Sequence, residues 1–177
     1  IDRLAAFMQC AADEKTPELR LERDGGLAIL VLDNPARLNA LTASMWAALP
    51  QLIAEAEADP AIRVILIKGA GGKAFSAGAD ISEFDTARTG DAAQIYDALN
   101  HAAFEALLGV SKPTIAMVEG FCLGGGLGIA ACCDLRFANA DATFAIPAAR
   151  LGLGYHPRWV RTLLNLSSPA SIKELLF

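Results

Sequence analysis

The sequence predicts an α/β fold in which strands and helices alternate around one core. Three observations lead to this class: short apolar runs bounded by turn residues, longer stretches with apolar residues at helical spacing, and glycine-rich segments that connect the two. A chain of 177 residues is long enough for one domain with a sizeable core. We expect residues 1–18 to form an N-terminal lead-in and residues 19–177 to form the domain.

The elements are predicted in the order strand, strand, helix, strand, helix, strand, helix. Two strands around Asp24-Gly25-Gly26 indicate a hairpin, and Thr42 is a typical helix cap. The predicted strands are 19–23, 27–32, 64–67, 114–118 and 135–138, with a further segment at 141–145, and the predicted helices are 43–58, 91–108 and 127–133. The segment 171–177 has a helical pattern that runs to the last residue, so we expect a C-terminal helical part to be missing.

Composition excludes several classes of protein. A net charge of −5 argues against a broad basic surface for nucleic acid. No unbroken run of about 20 apolar residues indicates a membrane span, and no signal peptide is recognisable, so we expect a cytoplasmic protein. The four cysteines, at positions 10, 122, 132 and 133, fit no zinc spacing. We expect them to be free thiols, buried where the sequence is apolar, and we expect no metal site.

Two glycine-rich segments, 69–80 and 120–128, each follow an apolar strand, and the second opens a helix. A helix N-terminus offers free N–H groups, and glycine lets a ligand approach them closely. Two such segments that converge would form an oxyanion hole. A nucleoside-triphosphate P-loop is excluded because Ala74 follows Gly72-Lys73, and a dinucleotide fingerprint lacks the helix after its glycines. The remaining alternative is that the glycines only permit tight turns.

Four motifs in order resemble the crotonase superfamily, the enoyl-CoA hydratase/isomerase family. Segment 73–84, KAFSAGADISEF, is similar to its first signature, and segment 111–134, SKPTIAMVEGFCLGGGLGIAACCD, to its second. Segment 34–42, NPARLNALT, resembles the loop that contacts coenzyme A, and segment 144–155, FAIPAARLGLGY, resembles the loop after the second signature. The resemblance runs from about residue 19 to the end of the chain. It implies a crotonase-like ββα superhelix, the ClpP/crotonase fold.

The resemblance also implies a set of site residues. The N–H groups of Ala79 and Gly125 would form the oxyanion hole around a thioester carbonyl. Arg37 would meet a phosphate of coenzyme A, as a guanidinium pairs well with phosphate oxygens, although a solvated loop arginine is an equal alternative. The remaining residues expected along the coenzyme A path are Ala36, Leu38, Ala77, Asp80, Ile81 and Ser82.

The sequence departs from the hydratases where the resemblance places their two glutamates, because Gly128 and Ala148 stand there. Neither residue can hold a proton, so standard hydration is not expected. Tyr155 and His156 are the candidate replacements: related decarboxylases have a tyrosine at the first position, other relatives have an acidic group at the second, and histidine titrates near neutrality. Each could also be a rim or interface side chain. We expect His101 to lie on the surface.

Other polar groups near these motifs are expected to be structural. Asp134 closes the predicted third helix, and Glu119 is expected on a solvated turn. Ser76 precedes the first glycine turn, but no histidine pairs with it in the sequence, so a serine peptidase has no support.

Two functional hypotheses follow. The first is an acyl-CoA enzyme of fatty acid metabolism, a lyase or isomerase that stabilises a thioester enolate for hydration, isomerisation or decarboxylation. The second is a catalytically inactive homologue that binds acyl-CoA. Coenzyme A would be part of the substrate, with no separate cofactor, and the resemblance implies a homotrimer or a dimer of trimers.

Overall fold

The computed structural model of the chain describes residues 16–84 and 91–177; most of the predicted lead-in, with Cys10, lies outside them. The strands are β1 (Glu18–Asp24), β2 (Leu27–Asp33), β3 (Val64–Gly69), β4 (Ala74–Ser76), β5 (Thr114–Val118), β6 (Phe121–Leu123), β7 (Leu135–Ala138) and β8 (Thr143–Ala145). The helices are α1 (Ala43–Ala58), α2 (Asp91–Gly109), α3 (Gly125–Cys132), α4 (Pro157–Leu164) and α5 (Pro169–Leu176), with short 3-10 turns at Pro35–Arg37, Ile81–Glu83 and Pro147–Leu151.

The strands form two sheets. The larger has the order β1-β2-β3-β5-β7, in which β1 is antiparallel to β2 and every other neighbouring pair is parallel. The smaller sheet, β4-β6-β8, is parallel. Because successive strands enter alternate sheets and a helix follows each pair, a ββα unit repeats as β3-β4-α2, β5-β6-α3 and β7-β8-α4. The repeat agrees with the predicted ββα superhelix.

The core lies between one face of the larger sheet and the helices. Leu30, Ile67 and Ala116 are neighbours in register across β2, β3 and β5, and all are fully buried. Thr42 caps α1 by accepting a hydrogen bond from the N–H of Met45. The buried side chains of α1 recur at helical spacing, as predicted: Met45, Trp46, Leu49, Ile53 and Ala56. Removing such side chains from water stabilises the fold by about 1.5–3 kcal/mol each.

The short strands β4 and β6 were not predicted. Each has three residues inside a glycine-rich segment, and a run of that length carries no periodicity. Helix α3 begins at Gly125, two residues before its predicted start. Glycine is a poor helix former, so the sequence assigned Gly125 and Gly126 to the preceding turn.

The C-terminal part of the chain also differs from the prediction. Helix α4 was missed because its eight residues give too short a run to establish a helical period; it begins with His156 as cap and Pro157 in the first turn. Helix α5 begins at Pro169 behind a Ser168 cap, so the helical segment predicted at 171–177 starts two residues earlier and ends at Leu176.

The three cysteines within the described residues are free and buried, which confirms that prediction for Cys122, Cys132 and Cys133. Burial raises the pKa of each thiol to about 12, so thiolate is nearly absent at neutral pH. None of the helices described is long and apolar enough to cross a membrane.

Candidate active site

The smaller sheet brings the two glycine-rich turns together. Strands β4 and β6 are parallel, with Ser76 paired to Cys122. Parallel neighbours end at the same edge of a sheet, so the turns that follow them lie side by side. Ala79 and Gly125 each come three residues after a member of this pair. The sheet therefore places the two predicted oxyanion-hole residues next to each other.

The backbone around Ala79 fixes the direction of its N–H group. Leu41 forms a bridge with Ala79: its N–H donates to the carbonyl of Gly78 at 2.7 Å, and its carbonyl accepts from the N–H of Asp80 at 2.9 Å. Successive N–H groups of an extended chain point to opposite sides. The N–H of Ala79 therefore points away from Leu41, and it has no hydrogen-bond acceptor among the described residues.

Gly125 supplies the second donor. It is the first residue of α3, where N–H groups have no partner within the helix and the helix dipole is positive. A methyl group built on Gly125 would lie 3.8 Å from the nitrogen of Ala79 and 2.8 Å from the ring of Trp46. Gly78, at φ +95°, adopts a conformation that favours glycine, and a side chain there would lie 2.9 Å from the carbonyl of Leu123. Glycine at these positions lets the two turns pack against each other.

Both donors face a cavity of about 860 Å³. The glycine-rich turns contribute a mainly apolar part of its wall, and α2 and the start of α4 contribute aromatic and polar side chains. The residues that line it are Ala77, Gly78, Ala79, Ile81, Phe84, Asp97, Ala98, Asn100, His101, Phe104, Gly124, Gly125, Ile146, Pro147, Ala148, Leu153, Gly154, Tyr155, His156, Pro157 and Trp159. All four predicted catalytic residues therefore lie around one cavity, with Ala77 and Ile81 from the predicted coenzyme A path.

The other residues predicted for coenzyme A lie beside the cavity. Arg37 pairs with the buried carboxylate of Asp80 at 3.1 Å, and that carboxylate also accepts from the backbone N–H and hydroxyl of Ser82. Burial raises the pKa of Asp80, but the hydrogen bonds from Ser82 and the charge of Arg37 outweigh it and hold the pKa below its usual range. Ala36 and Leu38 are exposed on the same loop.

Asn39 joins this loop to the first glycine-rich turn, and the sequence did not single it out. Its side-chain amide donates to the carbonyls of Ala70 and Ala74, and its side-chain oxygen accepts from the N–H of Asn34. Asn39 is fully buried at φ +57°, a left-handed conformation that asparagine tolerates better than most residues. The signal available in the sequence was an asparagine between apolar residues in a motif already assigned to ligand contact.

The structure shows what occupies the space at Gly128. A side chain there would begin 2.6 Å from the ring of Phe104 and 3.1 Å from the hydroxyl oxygen of Tyr155. That hydroxyl is buried without a hydrogen-bond partner among the described residues, and burial raises the pKa of the phenol above its ordinary value. Tyr155 therefore stays protonated at neutral pH and can donate a hydrogen bond, but it cannot act as a base.

The side chains of His156 and His101 lie near each other in the lining of the cavity. The ring of His156 caps α4, because its Nδ1 accepts from the N–H of Arg158 at 3.2 Å. The two imidazole centroids are 6.4 Å apart, and the rings lie 5.9 and 5.4 Å from that of Trp159. His101 is exposed, as predicted, but it also lines the cavity, which was not predicted. Its spacing of four residues from Asp97 places the two side chains on one face of α2, and that shared face was the only signal in the sequence of this helix.

Asp134, Glu119 and Ser76, which were not expected to take part in catalysis, lie outside the cavity lining. The carboxylate of Asp134 accepts from the N–H and hydroxyl of Thr114 at the start of β5, which confirms its structural role. Glu119 does not line the cavity. Ser76 is fully buried and accepts from the N–H of Gly78, so it supports the first turn and is not exposed as a nucleophile.

The fold and site together define a class: an α/β protein of repeated ββα units with two backbone donors in the lining of a cavity of about 860 Å³. A family model for Enoyl-CoA hydratase/isomerase matches residues 22–169. The chain therefore belongs to the enoyl-CoA hydratase/isomerase family, in the crotonase superfamily.

Individual relatives agree with this membership. The chain is 36% identical over 159 residues to a crotonyl-CoA hydratase from Syntrophomonas wolfei, and 37% identical over 159 residues to a short-chain-enoyl-CoA hydratase from Clostridium acetobutylicum; each match covers 89% of this chain and 60% of the relative. An enoyl-CoA hydratase/isomerase family protein from Hyphomonas neptunium superposes with a TM-score of 0.87 at 44% identity, covering 93% of this chain and 63% of that one. The chain thus spans about 60% of the length of these two curated relatives.

Proposed function

We propose that this chain binds an acyl-CoA thioester with the carbonyl oxygen between the N–H groups of Ala79 and Gly125, and that it stabilises the enolate formed there. The observation that carries the proposal is the convergence of two backbone donors from parallel strands on one cavity. Donors that are already in place need no reorganisation when charge develops on the oxygen, and each is worth about 2.7–4 kcal/mol in the transition state. The relatives named as hydratases of enoyl-CoA support the choice of ligand.

The side chains around the hole favour a reaction that needs no pair of carboxylates. Gly128 and Ala148 carry no acid, and Asp97 is the only carboxylate among the described residues that line the cavity. We propose decarboxylation of a malonyl-type acyl-CoA. The bond between the α-carbon and the carboxyl carbon breaks, its electron pair moves onto the thioester oxygen held by the two N–H groups, and carbon dioxide leaves. The α-carbon then takes a proton from water.

Tyr155 is the residue we propose to orient the departing carboxylate. Its buried hydroxyl lacks a partner among the described residues, and an unpaired buried hydroxyl costs about 1–3 kcal/mol. A hydrogen bond to the substrate carboxylate would remove that cost. A second candidate function is binding of acyl-CoA without turnover, because the hydroxyl has almost no exposed surface and a substrate carboxylate that could not reach it would be left without an orienting group.

Turnover and binding of two substrates distinguish these functions. Crotonyl-CoA and methylmalonyl-CoA are incubated with the protein, products are separated by chromatography, and affinities are measured by calorimetry. Release of propanoyl-CoA from methylmalonyl-CoA supports decarboxylation, and tight binding of both thioesters without product supports the inactive homologue. Absence of binding by any acyl-CoA contradicts both.

An Ala79→Pro variant tests the hole itself. Proline removes the N–H of residue 79, and losing one such donor is expected to reduce turnover by about 100- to 1000-fold. Free coenzyme A, which has no thioester carbonyl, is the matched ligand: it should bind the variant and the original protein equally. The ratio of acyl-CoA affinity to coenzyme A affinity is compared between the variant and the original protein. An unchanged ratio would show that Ala79 is not a donor to the carbonyl.

We also propose, from the family resemblance, that the protein assembles as a homotrimer or a dimer of trimers. Light scattering checks this directly, since the chain has a mass of 18.6 kDa and the expected particle is a threefold or sixfold multiple of it. A monomer would contradict the proposal.

A further inference from the structure

We propose that Asp97, Asn100, His101 and His156, here called the polar wall, bind a hydroxyl group carried by the acyl chain at a carbon remote from the thioester. This inference rests on the proposed function, because it concerns the acyl end of the same cavity. All four side chains line that cavity. Asp97 and His101 are one turn apart on α2, and His156 comes from the cap of α4, so two helices contribute to the wall.

A row of ring contacts leads from the oxyanion hole to the polar wall. Trp46 touches the position where a side chain on Gly125 would begin. Its ring centroid lies 5.5 Å from that of Phe104, which lies 4.6 Å from Trp159, which in turn lies 5.4 Å from His101. The polar wall is therefore separated from the hole by several aromatic rings. Of these rings, Phe104 and Trp159 line the cavity, so an acyl group that passes them reaches the wall with carbons several bonds from the carbonyl.

The hydrogen-bonding groups of the wall select the chemistry of the ligand. The Nδ1 of His156 is engaged as an acceptor by Arg158, so in the neutral ring Nε2 carries the proton and donates. The amide nitrogen of Asn100 donates to the carbonyl of Tyr96 at 2.7 Å, which leaves its side-chain oxygen as an acceptor. Asp97 adds a carboxylate. The wall thus presents both donors and acceptors.

A hydroxyl group matches this combination better than the alternatives do. It can donate to a carboxylate or amide oxygen and accept from an imidazole N–H in the same position. A terminal carboxylate only accepts hydrogen bonds and would face the like charge of Asp97. A plain alkyl end would remove water from the polar side chains without replacing its hydrogen bonds, which is unfavourable.

Three matched thioesters test the inference on the 177-residue protein: octanoyl-CoA, 8-hydroxyoctanoyl-CoA and the mono-CoA ester of octanedioic acid. The same comparison is repeated from butanoyl to decanoyl chains, and dissociation constants are measured by calorimetry. At the chain length that reaches the wall, the terminal hydroxyl is expected to improve affinity about 3- to 10-fold over the alkyl chain, the gain from one or two neutral hydrogen bonds. Tighter binding of the dicarboxylic thioester would overturn the inference.

Two variants assign the effect to the wall. His101→Phe keeps a ring against Trp159 but removes its nitrogens, and His156→Asn keeps a side chain able to cap α4 but removes the Nε2 donor. Each is expected to reduce the ratio of 8-hydroxyoctanoyl-CoA affinity to octanoyl-CoA affinity to about 1. Gln94→Ala, at an exposed position of α2 outside the cavity lining, is the matched control and should retain the preference.

The outcomes separate this inference from the proposed function. Equal affinity for alkyl and hydroxylated thioesters at every chain length overturns the inference and leaves the oxyanion hole supported. A preference for the hydroxyl that persists in both histidine variants also overturns it. If the unmodified protein binds no acyl-CoA at all, the proposed function fails, and the inference fails with it.

Discussion

Replacing Gly128 by alanine tests how closely the space at that position is filled. Alanine is the better helix former by about 1 kcal/mol, so in an open helix the change would stabilise the protein. At Gly128 the added methyl carbon would lie 2.6 and 2.9 Å from two ring carbons of Phe104 and 3.1 Å from the hydroxyl of Tyr155. We therefore expect Gly128→Ala to lower stability.

The size of the effect follows from how little Phe104 can move. Its ring is buried between the edges of Trp46 and Trp159, with centroids 5.5 and 4.6 Å away. Overpacking a site of this kind costs about 1–3 kcal/mol. Set against the gain of about 1 kcal/mol in helix propensity, the net loss is up to about 2 kcal/mol, which lowers the Tm of a domain of this size by up to about 8 °C. Thermal unfolding followed by circular dichroism measures it.

A double-mutant cycle identifies the cause of the loss. With Phe104→Leu in the background, the shorter side chain leaves room for the methyl group, so Gly128→Ala should become neutral or stabilising, with a coupling of about 1–3 kcal/mol. Gly109→Ala is the matched control, since a methyl there meets nothing within 4 Å. A higher Tm for Gly128→Ala in the unmodified background would refute the reasoning.

Three further predictions concern the scaffold. Arg136→Ala should lower the free energy of unfolding in urea by about 1–3 kcal/mol, because its guanidinium donates to carbonyls at the C-terminal end of α3; Arg136→Lys should recover only part of it. The original protein should have a larger free energy of unfolding than Asp80→Asn, because the pKa of the Asp80 carboxyl is lower in the folded state than in the unfolded state. This difference should be greatest above the unfolded pKa, about 3.9, and should be lost as the pH falls below it. In Cys10→Ser the remaining thiols should stay unreactive to a disulfide reagent at pH 8 until urea unfolds the protein; rapid native labelling would contradict their burial.

The larger sheet was readable from the sequence because its central strands are buried on at least one face and carry continuous apolar runs. The run at 64–67 and the strand Thr114–Val118 are of this kind, and their positions agree with the structure. Strands β4 and β6 were not readable, since three residues beside glycines have no period to detect. The smaller sheet exists because its strands pair with one another, and that pairing is a tertiary effect.

Part of the candidate site could likewise be predicted from the sequence, and part could not. The convergence of Ala79 and Gly125 followed from two recognisable motifs, and the structure places both on one cavity. The cavity role of His101 was missed because nothing local in α2 shows that α4 brings His156 opposite it. The cytoplasmic location and the absence of a separate cofactor stay predictions.

The site combines main-chain donors with side chains from other elements of the chain. The donors would bind a ligand, whereas the side chains would decide which reaction follows. The donors at Ala79 and Gly125 are main-chain groups, fixed by the pairing of β4 with β6 and by the bridge from Leu41. A side-chain substitution elsewhere in the cavity is therefore expected to leave them in place. The groups that could transfer a proton or orient a substrate, such as Tyr155, are side chains on other elements and can change without disturbing the hole. The polarisation of a thioester that we propose would therefore not identify the reaction, and an acyl-CoA bound there must still be followed to its product.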